Sequence, residues 1–165
     1  MQRNLKGCGN STLAFEMADH GYPRVVNADY AANVIEHMKD MTDPAKYPDV
    51  SWHTADCLKP LPPQINHASF GVVIDKSLSD TIACGDTDDL MEQRTLAQNI
   101  LDVTRPEGVW ISISFSSERQ HYALEGKWRW ERERAIAIKA DQSHDKPGAP
   151  EIFHYLYVMR KVPCK

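Results

Sequence analysis

Apolar positions along the chain switch repeatedly between a helical and a strand period. Within residues 11–20, Leu13, Ala14, Met17 and Ala18 recur on one helical face, and Gly21 is a natural left-handed stop. Asn10, Ser11 and Thr12 are candidate caps for that helix. Residues 24–28 (RVVNA) predict a short strand that ends at Asp29. Ala31, Val34, Ile35 and Met38, at i, i+3, i+4 and i+7, predict a second amphipathic helix. Residues 50–54 predict a strand, and Pro60, Pro62 and Pro63 make the next segment a loop. The run FGVVI at 70–74 is short, β-branched and apolar throughout, as a strand covered on both faces must be. Residues 88–104 predict a helix with Leu96, Ala97, Ile100, Leu101 and Val103 inward and Pro106 as its stop, and VWISISF at 109–115 predicts another strand.

Strand and helix thus alternate through about residue 115, the order that builds a parallel sheet with helices on both faces. The tail differs. Residues 127–139 and 152–162 predict long strands joined by the turn-rich segment 140–150 (ADQSHDKPGAP), hence an antiparallel hairpin at one edge. With no linker or internal repeat, residues 1–165 are expected to form a single domain.

Length and composition narrow the picture. The chain has 165 residues, 42% hydrophobic and 25% charged, enough apolar material for a core. Its formal charge of −4, without a long Lys/Arg stripe, argues against a nucleic-acid partner. No apolar run is long enough for a membrane-spanning helix, and the polar start is no signal-peptide core. Cys8, Cys57, Cys84 and Cys164 form no CxxC pair, and the seven histidines lack ligand spacing, so no metal is expected. A reduced, cytoplasmic protein is the expectation.

Chemistry is concentrated at the ends of the predicted strands. Gly7-Cys8-Gly9-Asn10 opens the first helix: two glycines one residue apart permit a sharp turn and close approach to a ligand beside a helix N-terminus. A plain tight turn accounts for the same residues, and Thr12 stands where a dinucleotide fingerprint has Gly or Ala. Asp29 lies twenty residues after Gly9, where a carboxylate takes ribose hydroxyls; capping of the next helix is the other reading. Asp56-Cys57 and Asp75-Lys76 end the next two strands, on the edge where α/β sheets bind ligands.

GCGNST, VVNADY, TADCL and FGVVIDKSLSD together resemble the motif series of class I S-adenosylmethionine-dependent methyltransferases. The pairing of GCGNS with D-K-[GST]-x-x-D is similar to the elongation-factor 1-alpha lysine methyltransferase branch. The resemblance implies a doubly wound, mostly parallel, seven-stranded Rossmann-like sheet closed by the C-terminal hairpin. It implies S-adenosylmethionine as cofactor, with Gly7, Cys8, Gly9, Asn10, Asp29, Tyr30, Asp56, Cys57 and Asp75 around it. Asp29 would meet the ribose, Tyr30 would lie beside the adenine and Asp56 would meet its amino group. The implied reaction is methyl transfer to a protein lysine. A small-molecule acceptor, and a silent cofactor-binding subunit that supports a partner enzyme, are the alternatives.

Only six residues precede Gly7, and residues 2–6 (QRNLK) hold one hydrophobe where a central strand should be apolar. The expectation is that the chain is truncated, or is a non-catalytic relative, or that a homo-oligomer or a partner chain covers the face left open. Asp75, Lys76 and Asp80 are candidate substrate-pocket residues. With Asp86, Asp88, Asp89 and Glu92 the acids form a segment that would attract a cationic acceptor; a solvated helix start is the other reading. Trp128 and Trp130 share one strand face, where core packing competes with a role as pocket wall, and RWERER at 129–134 reads as a solvated face.

Overall fold

The computed structural model describes residues 2–65, 70–85, 90–119, 126–141 and 150–164. Among these residues seven strands and four helices follow one another as β1 (Gln2–Lys6), α1 (Leu13–Asp19), β2 (Val25–Asp29), α2 (Ala32–Asp40), β3 (Val50–Thr54), β4 (Phe70–Lys76), α3 (Leu78–Gly85), α4 (Met91–Val103), β5 (Thr104–Ser114), β6 (Trp128–Lys139) and β7 (Phe153–Pro163). The strands lie in the order β3-β2-β1-β4-β5-β7-β6. β1 to β5 pair in parallel, while β7 runs antiparallel to both β5 and β6. The α/β architecture and the closing hairpin agree with the sequence pattern.

Two apolar layers cover the sheet. On one face Ala14 and Met17 of α1 and Ile35 and Met38 of α2 pack on Val25, Val72, Ile74 and Trp52. On the other, Leu96, Ala97, Ile100 and Leu101 of α4 pack on Val26, Val73, Phe70, Trp110 and Tyr157. Alternate residues of β2 and β4 feed the two layers, which is why β4 reads as an apolar run from Phe70 to Ile74 and β2 as one broken only by buried Asn27. Polar β1 nevertheless takes the central place, its backbone paired to β2 on one side and β4 on the other. Strand position is settled here by the backbone ladder and the neighbouring strands, not by the strand's own hydrophobicity.

α1 ends as expected: Gly21, at φ +78°, receives the chain in the left-handed region. The helix expected over 88–104 begins at Met91, and residues 86–89 lie outside the described ones. Its far end is closed by Lys161 of β7, whose buried ammonium donates to Leu101 O and Thr104 O, both at 2.7 Å, beside the Trp128 ring. Burial pushes that ammonium below the ordinary lysine value. α3 was not expected, and it bears directly on the candidate site.

Candidate functional site

The ligand edge of the sheet is built around the turn from β1 into α1. Gly7 and Gly9 hold φ of +62° and +52°, a region open to glycine at little cost. A side chain at Gly7 would also meet Leu78 at 3.1 Å, whereas the space above Gly9 is open. The turn is held from β2: Cys8 N–H donates to Ala28 O at 3.1 Å, and Gly9 N–H donates to the Asp29 carboxylate at 2.9 Å. Burial, reinforced by the Asp29 charge, pushes the Cys8 thiol up to about 12, so this cysteine is an inert filler of the turn. Asn10 is exposed at the start of the α1 approach.

Asp29 is buried and uses both oxygens. One accepts from Gly9 N–H, the other from Ala31 N–H at 3.0 Å. It therefore closes an Asx turn just before α2, whose N-cap Ala31 has no side-chain cap, and also orders the glycine turn. Tyr30 beside it is 78% exposed. At the end of β3, Asp56 accepts from Leu58 N–H at 3.0 Å and pairs with Lys59 at 3.1 Å. The Leu58 bond, helped by Lys59, holds this carboxyl below the usual range. Gly7, Ala28, Tyr30, Ala55, Cys57, Leu61 and Leu78 line a small hollow between these elements, with room for little more than one water. Its lining is apolar at the centre, with Asp29 and Asp56 on neighbouring turns. The structure thus brings Gly7, Cys8, Gly9, Asp29, Tyr30, Asp56 and Cys57 to one place.

Asp75 and Asp80 depart from expectation. Asp75 has no exposed surface, and its carboxylate accepts from Leu78 N–H (3.0 Å), Ser79 N–H (3.1 Å) and Ser79 Oγ (2.6 Å). It closes the N-terminus of α3 instead of facing a ligand, because those helix N–H groups have no other acceptor. Burial raises its pKa in spite of these bonds. Lys76, the last residue of β4, is exposed. Asp80 pairs with Arg119 and also accepts from Ser114 Oγ (2.5 Å) and Phe115 N–H (3.0 Å). Its charge is therefore compensated within the fold. Asp86, Asp88 and Asp89 of the expected acidic segment lie outside the described residues, while Glu92 is exposed in the first turn of α4.

The tryptophans belong to the core. Trp130 is buried 5.5 Å from the Trp110 ring and donates to Ala97 O at 2.9 Å, while Trp128 packs at the edge of the same layer. Sequence reasoning missed Ala28, Ala55, Leu61 and Leu78 as pocket lining, and also Arg119. Nothing local marks Leu61 or Leu78, since each is one hydrophobe in a loop or a short helix. Arg119 lies 39 residues from Asp80 in sequence. Among the described residues no group of three His, Cys, Asp or Glu is disposed to hold a metal ion, and no helix is long and apolar enough to cross a membrane.

A mostly parallel α/β sheet with a glycine turn, an acidic second strand end and an apolar pocket between them is a nucleoside-cofactor domain in outline. The chain belongs to the methyltransferase domain family, which matches residues 6–155, and S-adenosylmethionine is the cofactor of this class. It is 28% identical over 160 residues to methyltransferase srdJ of Neurospora crassa, covering 95% of this chain and 65% of that protein. It is 29% identical over 148 residues to EEF1A lysine methyltransferase 4 of Bos taurus, covering 84% and 56%. The chain thus spans well under the full length of these relatives. The N-methyltransferase NodS of Bradyrhizobium japonicum, solved with S-adenosyl-l-homocysteine, shares the fold at TM-score 0.67 and 13% identity, over 96% of this chain and 76% of that one.

Proposed function

We propose that this chain binds S-adenosylmethionine in the pocket lined by Gly7, Tyr30, Cys57, Leu61 and Leu78 and directs its methyl group to a protein lysine, residues 1–165 acting as one methyltransferase unit with the seven-stranded sheet of that class. The observation that carries the reading is the join of Gly9 N–H to the Asp29 carboxylate at the rim of an apolar pocket. The residues suit the cofactor. The apolar lining suits the faces of an adenine, for which Tyr30 and Leu78 would have to part, a side chain at Gly7 would press on Leu78, and the space above Gly9 stays open.

Asp29 would take the ribose hydroxyls, its carboxylate having lone pairs left after Gly9 and Ala31. Tyr30 would cover one face of the adenine, and Asp56 would meet its amino edge. The turn from Gly7 to Asn10 would hold the amino-acid end. When bound, the cofactor supplies an already activated sulfonium methyl. The chain's task is then alignment of the acceptor and exclusion of water. Asp75 serves indirectly, by fixing the start of α3 and so the Leu78 wall. Asp80 and Arg119 serve by fixing the segment after β5.

Lysine as acceptor is supported by the relatives named for EEF1A lysine methylation. A small-molecule acceptor is favoured by one observation: Asp80 is neutralised by Arg119, which removes one expected attraction for a cationic residue. Incubation with methyl-labelled S-adenosylmethionine and purified EEF1A, followed by peptide mass spectrometry, separates the readings. Methylated lysine is the expected result. Cofactor binding by calorimetry with no label in EEF1A or in lysate proteins would overturn the lysine assignment.

A further inference from the structure

We infer that the outer edge of β6 pairs antiparallel with β6 of a second copy of this chain, so that two sheets join into one. β6 is the last strand of the sheet, so one row of its backbone N–H and C=O groups faces away from β7. From Glu131 to Lys139 every residue is exposed. Such an edge is a template for another strand unless its side chains repel one.

The side chains select the partner. Residues 131–134 read Glu-Arg-Glu-Arg. In an antiparallel self-pairing centred between Arg132 and Glu133, Glu131 of one copy stands opposite Arg134 of the other, twice by symmetry. An isologous contact requires this kind of self-complementarity. A parallel self-pairing in register would set like charges side by side, which costs stability.

The bulge in β6 makes the faces agree. β7 residues Arg160 and Val158 lie two apart and so on one face, and they oppose Glu131 and Arg134 respectively. Glu131 and Arg134 therefore share a face although three residues separate them. Without the bulge they would point to opposite sides, and the pair could not form across the two-fold axis. Arg132 and Glu133 are already engaged, Arg132 with Arg119 O and Glu133 with Arg160. Arg134, in contrast, has no ion pair within 4 Å among the described residues, and Glu131 has only Arg129 at 3.5 Å. The attraction falls on Glu131 and Arg134.

The same register sets Ile136, 44% exposed, opposite Arg129, and Ile138, 45% exposed, opposite Lys127 of the second copy. The aliphatic stems of both cations would cover these isoleucines. An exposed apolar pair on an edge strand, next to a self-complementary charge pair, is accounted for by one partner: another copy.

Sedimentation velocity over a micromolar to sub-millimolar concentration series tests this with the chain as it stands. The wild type is expected to show a monomer–dimer equilibrium. Glu131→Arg and Arg134→Glu should each weaken dimerisation by about tenfold or more, because each puts like charges opposite one another in both symmetric pairs. The double swap should restore it. Hydrogen exchange should show outward amides of β6 gaining protection as concentration rises. Both residues are exposed, and circular dichroism checks that each variant folds. A strict monomer throughout, single variants that dimerise like the wild type, or a double swap without rescue would each overturn the inference.

Discussion

Replacing Asp29 by alanine tests the core of the site. The side chain holds two backbone donors, Gly9 N–H at 2.9 Å and Ala31 N–H at 3.0 Å. Hydrogen bonds to a charged group contribute roughly 1.5–3 kcal/mol each, and water admitted by the smaller side chain recovers part of this. A loss of about 1–3 kcal/mol in stability is expected, read as a lower melting temperature. Cofactor affinity should fall further, by about tenfold to a hundredfold, as the ribose acceptor goes and the glycine turn loosens. Asparagine would not rescue it, because its amide group must set a donor against either Gly9 N–H or Ala31 N–H. The two causes separate with a ligand pair. Calorimetry with S-adenosylhomocysteine and with its ribose-deoxygenated analogue gives the coupling between Asp29 and the hydroxyls. A direct contact makes Asp29→Ala costly for the first ligand and mild for the second. Equal losses would leave Asp29 an organiser of the turn alone, and unchanged affinity with an intact fold would refute the site.

Trp130→Phe removes the bond to Ala97 O and should cost about 1–2 kcal/mol in denaturant unfolding while leaving cofactor affinity unchanged; altered affinity would return Trp130 to the pocket wall. Since the Cys8 thiol is pushed up to about 12, only about one molecule in ten thousand carries its thiolate at pH 8. Thiol titration of the native protein should label exposed Cys84 and Cys164 and spare Cys8, and rapid Cys8 labelling would contradict the burial argument. Asp75 is raised in the folded state, so the folded chain binds its proton more tightly than the unfolded chain does, and its contribution to stability falls as pH rises from the ordinary carboxylate value through the folded one. Asp75→Asn should therefore gain stability relative to wild type across that rise, and a difference that shrinks with rising pH would show the sign to be wrong.

Much of the site was legible because local chemistry constrains it. Gly7 and Gly9 were conspicuous as glycines, and both occupy the left-handed region. Asp29 supported two readings from sequence, helix cap and ligand carboxylate. Its bond to Ala31 N–H forms an Asx turn ahead of α2 rather than the helix cap, and its bond to Gly9 N–H puts it beside the glycine turn, where the second would operate. β2 and β4 were readable because both their faces are buried. What escaped depends on distant partners. α3 has eight residues and buries only Ser79 and Ile82, so no periodicity announces it; the Asp75 cap at its start does what pattern could not. Asp80 looked like an available acid because Arg119 comes from beyond β5. β1 could not be placed from its polar residues, since pairing on both sides supplies what its composition lacks.

The insertion of β7 between β5 and β6 has a consequence for synthesis. β6 emerges from the ribosome first but its backbone ladder is formed with β7, and β7 also supplies Lys161, which closes α4. At about 5–20 residues per second, β6 waits on the order of seconds for its neighbour. During that interval β5 offers an unpaired edge, and the apolar floor beneath Trp110 lacks Tyr157 and Met159. A stop codon just before Phe153 would therefore remove more than one strand's worth of structure. It would strand β6, uncap α4 and leave two strand edges of one nascent chain open to the next chain on the same message.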